Sequence, residues 1–391
     1  MAFRCGEQGA AALLLFLVLV LAAASFFLAG RSGNLADLAR QQAATTAMAR
    51  GKKALIAYTV MYADNYPATG AGPGHLPCPD TSNNGSPNPP CGPGIMGRLP
   101  RAIPLPSGVM MPVSDHGDGY DQRFWYALSS FHRNNPAGPV NSETLGALQL
   151  DGTGDVVAVF IAPGPSLAGQ NRPSLSAADY LEDLNATGPP AFVSSSVGDF
   201  NDRVLPIRGR DFMPLVERRV LGVLRDLLRQ YRTACGQYPW PAPYADPRIP
   251  SFFAGSAGTL AGFFPLLINN PANPGQDEWN SGCAAGIQVP AWLAANNWQR
   301  LSFYALASGP VQAGGTCTPG LDCLTVQGLT GPGNQARAVV LLAGAELAGQ
   351  ERAVFSGPGD YFEGENAGGD HSAFEVRIGA ADFNDQLLVV H

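Results

Sequence analysis

Residues 10–30 form an unbroken apolar run in which Ser25 is the only polar side chain, with Arg4 before it and Arg31 after it. At about 1.5 Å of rise per residue, a helix over this run is roughly 30 Å long, the thickness of a bilayer's hydrocarbon core. The run therefore predicts a membrane-spanning helix. The helical pattern does not end there: Leu35, Leu38, Thr45, Met48, Leu55, Thr59 and Tyr62 keep to one side as far as Tyr66-Pro67, opposite Arg40, Gln41, Lys52 and Lys53. An apolar helix continues into an amphipathic one, which Pro67 and the Gly-Pro cluster at 70–74 terminate.

This layout resembles that of the type IV prepilins and pseudopilins: a short leader (1–9) ending in Gly9, a mature chain starting at Ala10, and a long helix (10–66) that is half anchor and half domain spine. Members of that family usually carry Phe or Met after the cleavage glycine and Glu at the fifth mature position, where this chain has Ala10 and Leu14. The family's Glu neutralises the amino terminus of a neighbouring subunit inside an apolar filament core, where an unpaired charge is costly. A subunit at a filament tip has no neighbour above it, and the family's tip-like minor members share the missing carboxylate. The resemblance implies processing by a prepilin peptidase between Gly9 and Ala10 and packing against other pilins or pseudopilins through the N-terminal helix. It also implies a single-pass inner-membrane location, with the C-terminal part in the periplasm or on an extracellular filament. Two other readings fit the same segment: a secretory signal cut near Ala22-Ala23-Ala24, and a plain single-span anchor. Each of the three exports residues 31–391.

Cysteine placement agrees with export. Cys5 lies in the leader; Cys78, Cys91, Cys235, Cys283, Cys317 and Cys323 all lie beyond the apolar run. An even number there points to disulfides in an oxidising compartment, with neighbours pairing (78 with 91, 235 with 283, 317 with 323), although six cysteines allow other connectivities. No pair has zinc-ligand spacing. The net charge of −7, without a basic stripe bearing interleaved aromatics, argues against a nucleic-acid partner. The 47 Gly and 34 Pro indicate a loop-rich exterior on a core long enough for two domains.

An internal duplication organises the exported part. Residues 158–172 reappear as 338–352, Trp125-Tyr126-Ala127-Leu128 as Phe303-Tyr304-Ala305-Leu306, Asp179-Tyr180-Leu181-Glu182 as Asp360-Tyr361-Phe362-Glu363, and Asp199-Phe200-Asn201-Asp202 as Asp382-Phe383-Asn384-Asp385. The spine repeats too: the stretch from residue 214 to 230 places Leu215, Val216, Val220, Leu221, Leu224, Leu227, Leu228 and Tyr231 on one helical face, with Asp211 as N-cap and Tyr238-Pro239 echoing Tyr66-Pro67. Strands are expected at 156–162, 336–342, 204–207 and 387–390. The expected fold class is α+β: a membrane-spanning N-terminal helix followed by two tandem pilin-like helix-on-antiparallel-sheet domains, 67–209 and 210–391.

Catalytic patterns are sparse. His75, His116, His132, His371 and His391 are scattered, no G-x-S-x-G elbow is present, and Ser194-Ser195-Ser196 reads as a loop. The repeated acids Asp179, Glu182, Asp360 and Glu363, and likewise Asp199, Asp202, Asp382 and Asp385, read as caps or turn residues before catalytic pairs. Asp80, Ser82 and Asn84, ahead of Gly85, resemble the opening of a calcium loop, but Cys91 stands where the closing Glu belongs. Asp115, Asp118 and Asp121, and Asp151 with Asp155, are fainter versions in Gly-rich turns, and Tyr238, Trp240 and Tyr244 offer aromatic contact surface. The expected function is that of a non-enzymatic minor pilin or pseudopilin subunit of a type IV pilus or type II secretion filament, without cofactor. The rival is a tethered periplasmic binding or hydrolytic protein.

Overall fold

Glu7–Val60 forms one continuous helix, α1, about 80 Å long. The computed structural model describes residues 7–67, 70–114, 117–134, 138–244, 252–269, 275–309, 315–352, 357–368, 371–377 and 382–391; within α1 it describes side chains 15–21 and 35–60. The C-terminal half of α1 is a spine: Ala44, Ala47, Met48, Leu55, Tyr58 and Thr59 are buried, and a short helix α2, Tyr62–Asn65, extends it. Before Gln41 every described side chain is exposed.

Here the transmembrane expectation is overturned, and with it the single-pass inner-membrane location. Among the described residues no helix is long and apolar enough to cross a membrane. From residue 35 onward α1 carries Asp37, Arg40, Arg50, Lys52 and Lys53.

The first unit is built on strands β1 (Ile95–Arg98), β2 (Ala102–Pro104), β3 (Met110–Pro112), β4 (Trp125–Leu128), β5 (Leu148–Leu150), β6 (Thr153–Ala162), β7 (Ala191–Phe192) and β8 (Arg203–Arg208), with a short helix α3 at Asp183–Thr187. Its main sheet runs β1-β4-β6-β5-β7 with β8 also on β6; β2 and β3 pair separately, and β5 with β7 is a parallel pair. β6 reads as a continuous apolar run because it is buried on both faces. Val157, Phe160 and Ala162 join the core under the helices, while Val156, Val159 and Ile161 join a second cluster with Trp125, Tyr180 and Phe192.

Helix α4, Gly209–Cys235, opens the second unit, followed by β9 (Ala261–Phe263), α5 (Ala291–Ala295), β10 (Ser302–Leu306), β11 (Leu324–Gln327), β12 (Gln335–Ala336), β13 (Ala338–Leu342), β14 (Ala373–Glu375) and β15 (Gln386–Val390). Asp211 is not the N-cap. It sits at the third helical position, where its Oδ2 accepts from the Arg208 backbone N–H and from Lys52 Nζ, both at 2.8 Å. α4 ends in Gly236, whose φ of 72° supplies the left-handed turn after the helix.

The repeat is visible strand for strand. β10, β13 and β15 pair as β4, β6 and β8 do, so Tyr126 faces Phe160 and Phe160 faces Leu205 in one unit, as Tyr304 faces Val340 and Val340 faces Leu388 in the other. The helices meet their closing strands alike: Arg203 Nη1 donates to Gln41 O and Thr45 Oγ1, and Gln386 Nε2 donates to Pro214 O and Glu217 Oε2. One break separates the units. β6 has a register shift around Val157, a fully buried residue; at the matching place the half-exposed Arg337 splits the strand into β12 and β13. β12-β11-β14 consequently forms its own sheet, apart from β15-β13-β10-β9.

The expected fold class is therefore corrected as well. The strands fall into separate sheets that include the parallel pairs β5–β7 and β11–β14, not a pair of antiparallel sheets each under its own helix. α1 and α4 pack together, and one apolar cluster runs from Ala47 to Val390 through both units.

Disulfides join Cys78 to Cys91, Cys235 to Cys283 and Cys317 to Cys323. The second of these ties the end of α4 to the loop before α5. Lys52 fastens α1 to the start of α4 through Pro206 O and Asp211. Lys52→Met should lower unfolding free energy by about 1 kcal/mol, since the pair is only partly buried and screened; urea denaturation measures it.

Candidate functional site

Two features stand out from the scaffold: a buried polar network present twice, and the free half of α1. In the first network Arg172 donates from Nη1 to Gly164 O and from Nη2 to Gln170 Oε1 and Tyr180 O, with its guanidinium 4.7 Å from the Tyr180 ring centre. Gln170 Nε2 then donates to Glu182 Oε1 at 2.7 Å. Glu182 Oε2 accepts the backbone N–H groups of Asn201 and Asp202, while Asp202 Oδ2 accepts Glu182 N–H and Asn185 Nδ2. The second unit repeats these bonds with Arg352, Gln350, Glu363, Asn366, Asn384 and Asp385. Each network fastens the loop after the central strand to the start of the closing strand.

Every network contains two carboxyl groups in contact. Asp202 Oδ1 and Asp385 Oδ1 are buried without a donor among the described residues, because the group opposite is another carboxyl. Burial, with the adjoining Glu182 or Glu363 adding to it, pushes each Asp well above the usual carboxylate range. Each Glu already accepts three N–H bonds, so the protonated form that burial favours on the Asp has a carboxylate oxygen beside it to which it can donate.

The copies differ at two points. Arg352 reaches across to Glu143 of the first unit at 3.2 Å and is buried, whereas Arg172 is half-buried. Where α1 has Thr45 facing Arg203, α4 has Glu217 facing Gln386, and burial pushes the Glu217 carboxyl up to about 7.

Among the described side chains of the N-terminal part of α1, those of residues 15–21 are apolar and exposed, from 48% to 68%, as are Leu35 and Leu38 further along. Large exposed apolar patches are characteristic of contact sites. Nearer the body, α1 and α4 leave an open groove of ≈ 660 Å³ lined by Ile56, Ala57, Val60, Met61, Leu215 and Gly222.

Of the residues singled out from the sequence, Gly9 and Ala10 lie within the first turns of α1, their surroundings outside the described side chains together with Leu14. Asp80 is buried and consumed by its own loop. It accepts from Ser82 Oγ, Asn84 N and Gly85 N, and pairs with Arg123 at 2.8 Å. Burial works to raise its pKa, but those donors and Arg123 outweigh it and hold the carboxyl below its ordinary value. Among the described residues no group of three or more His, Cys, Asp or Glu side chains is placed to hold a metal ion.

Asp118 anchors its turn through the N–H groups of Tyr120 and Gln122; Asp115 and His116 lie outside the described residues. Asp151 accepts from Ser194, and Asp155 from Gly146 N. His75 Nδ1 donates to Arg133 O, His132 packs on Phe212, and burial pushes the two imidazoles down to about 4 and about 3. Tyr238 is buried and Trp240 half-buried against the core. Sequence reasoning missed the carboxyl pairs because it matched Asp179 with Glu182; the partners are Glu182 with Asp202. It missed Glu217 too, as a lone acid on a helix whose burial only the closing strand reveals.

No protein-family model, no curated protein and no solved structure matches this chain.

Proposed function

We propose that this chain is a non-enzymatic assembly subunit of pilin or pseudopilin type, which joins a filament by laying the free half of α1 against the helices of other subunits. The observation that carries this reading is the division of one rigid 54-residue helix into a buried spine and an exposed apolar stretch at residues 15–21. Covering that stretch stabilises association by about 25 cal/mol per Å² of apolar surface removed from water. The doubled scaffold supplies a stiff body for the helix to carry. A prepilin peptidase cuts between Gly9 and Ala10 and leaves Ala10 as the first residue of the assembling form.

Sedimentation velocity and electron microscopy of the full chain test this against the variant Leu17→Glu with Leu19→Glu. The parent is expected to form assemblies and the variant to remain monomeric with unchanged unfolding, because both side chains are exposed. Mass spectrometry of the chain from cells with an active peptidase should give a terminus at Ala10. A parent that stays monomeric at all concentrations, or a variant that assembles equally well, overturns the proposal.

A further inference from the structure

We propose that the cavity between the two units binds a small amphipathic monocarboxylate, its apolar tail against Leu145, Met213 and Phe383 and its carboxylate towards Arg210 and Arg218. The cavity has a volume of ≈ 610 Å³ and is walled by the first-unit loop around Ser142 and Leu145, by the first turns of α4, and by the second unit around Val376 and Phe383. That size suits a small-molecule ligand, and a mostly apolar wall with a few convergent polar groups is how such sites are built.

The charged groups select the ligand. Arg210 and Arg218 on α4 are exposed, and among the described residues Arg218 has no hydrogen-bond or ion-pair partner. Arg377, after β14, also lines the cavity but is held by Glu375 at 2.8 Å. These arginines disfavour an organic cation. Asp155, Asp385 and Glu217 line the same space and disfavour a multiply charged anion, so a single carboxylate on an apolar body is what fits. Two polar groups are set into the wall side by side: Glu217, 4% exposed, accepts from Gln386 through Oε2 and neighbours the buried Ser142 hydroxyl, which lowers its pKa in part against burial. Arg352 lies behind Glu217 and acts on it only through space. The first unit has Thr45 in place of Glu217, so the acid belongs to this junction and not to the repeat.

Glu217 also links binding to pH. With its carboxyl pushed up to about 7, it is neutral in mild acid and tolerates a neighbouring carboxylate; once ionised it repels one. Isothermal titration of the full chain with sodium decanoate should give one saturable site, roughly ten-fold tighter at about pH 6 than at about pH 8. Arg218→Gln should weaken binding about ten-fold, Glu217→Gln should reduce the pH difference to the part that Asp385 contributes, and Leu145→Trp, at an exposed position that does not threaten folding, should block the cavity. Arg219→Gln, beside Arg218 but paired with Asp64, should change nothing. Absence of saturable binding, equal binding of decanol, or an unaltered Arg218→Gln affinity overturns the proposal.

Discussion

Arg352→Met should cost the protein about 3–5 kcal/mol of unfolding free energy, and Arg172→Met only about 1–3, measured by urea denaturation at neutral pH. The two arginines make the same bonds to equivalent carbonyls and glutamines, so local chemistry does not separate them. Burial and position do. The Arg352 side chain is 5% exposed and bonded to Glu143 across the unit boundary, and its removal strands the Gly344 and Tyr361 carbonyls inside the protein. Glu143 is 43% exposed, so Glu143→Gln should cost less than about 1 kcal/mol by itself. Equal losses for the two arginine variants would show that the boundary contact adds nothing.

The doubled network explains how so loop-rich a chain keeps its strands in register. Each closing strand is held by main-chain pairing on one side and, at its start, by a carboxyl that accepts two consecutive backbone N–H groups. The loop is fixed from both ends by one cluster. The copies differ at Arg337, Arg352 and Glu217, and of these Arg352 bonds directly to the first unit through Glu143.

Much of this was legible in the sequence because period and repetition are local signals. The apolar stripe of α4, the strand segments at 156–162 and 336–342, the second divided in the structure at Arg337, and the matched Asp-Phe-Asn-Asp motifs announce themselves without coordinates. Length and hydropathy alone misled at the N-terminus: a run of apolar residues states that a surface must be covered, not by what. The sheet architecture was illegible for another reason. Whether β6 stays whole or breaks depends on one residue, Val157 against Arg337, and on strand partners as far along the chain as Arg208 is from Val156. The carboxyl pairs were hidden likewise, since Glu182 and Asp202 come together only when the closing strand lies beside the central one.

Asp385→Asn and Glu363→Gln should behave very differently, although each exchanges a carboxyl for an amide within one pair. Asn at 385 still accepts from Glu363 N–H and Asn366 through its oxygen and offers its own N–H to Glu363, replacing the shared proton with a permanent donor. Its cost at neutral pH should be under about 1 kcal/mol. Gln at 363 must turn its NH₂ group either towards the Gln350 donor or towards the N–H groups of Asn384 and Asp385, and should cost about 2–4 kcal/mol.

The pH profile separates them further. A carboxyl whose folded pKa lies above its unfolded value gives stability that is complete below about pH 4 and is lost as pH rises through the folded value. Asp202 and Asp385 follow that sign, and Glu217 adds to it up to about 7. His75 and His132, pushed down to about 4 and about 3, act oppositely: their contribution is present above about pH 6.5 and fades as pH falls towards those values. Denaturation curves from about pH 5 to about pH 9 should therefore show the parent weakening on the alkaline side, and Asp202→Asn with Asp385→Asn should flatten that limb while leaving the acid limb in place. A double variant that keeps the parent's alkaline slope, or an Asp385→Asn as costly as Glu363→Gln, would place the proton elsewhere.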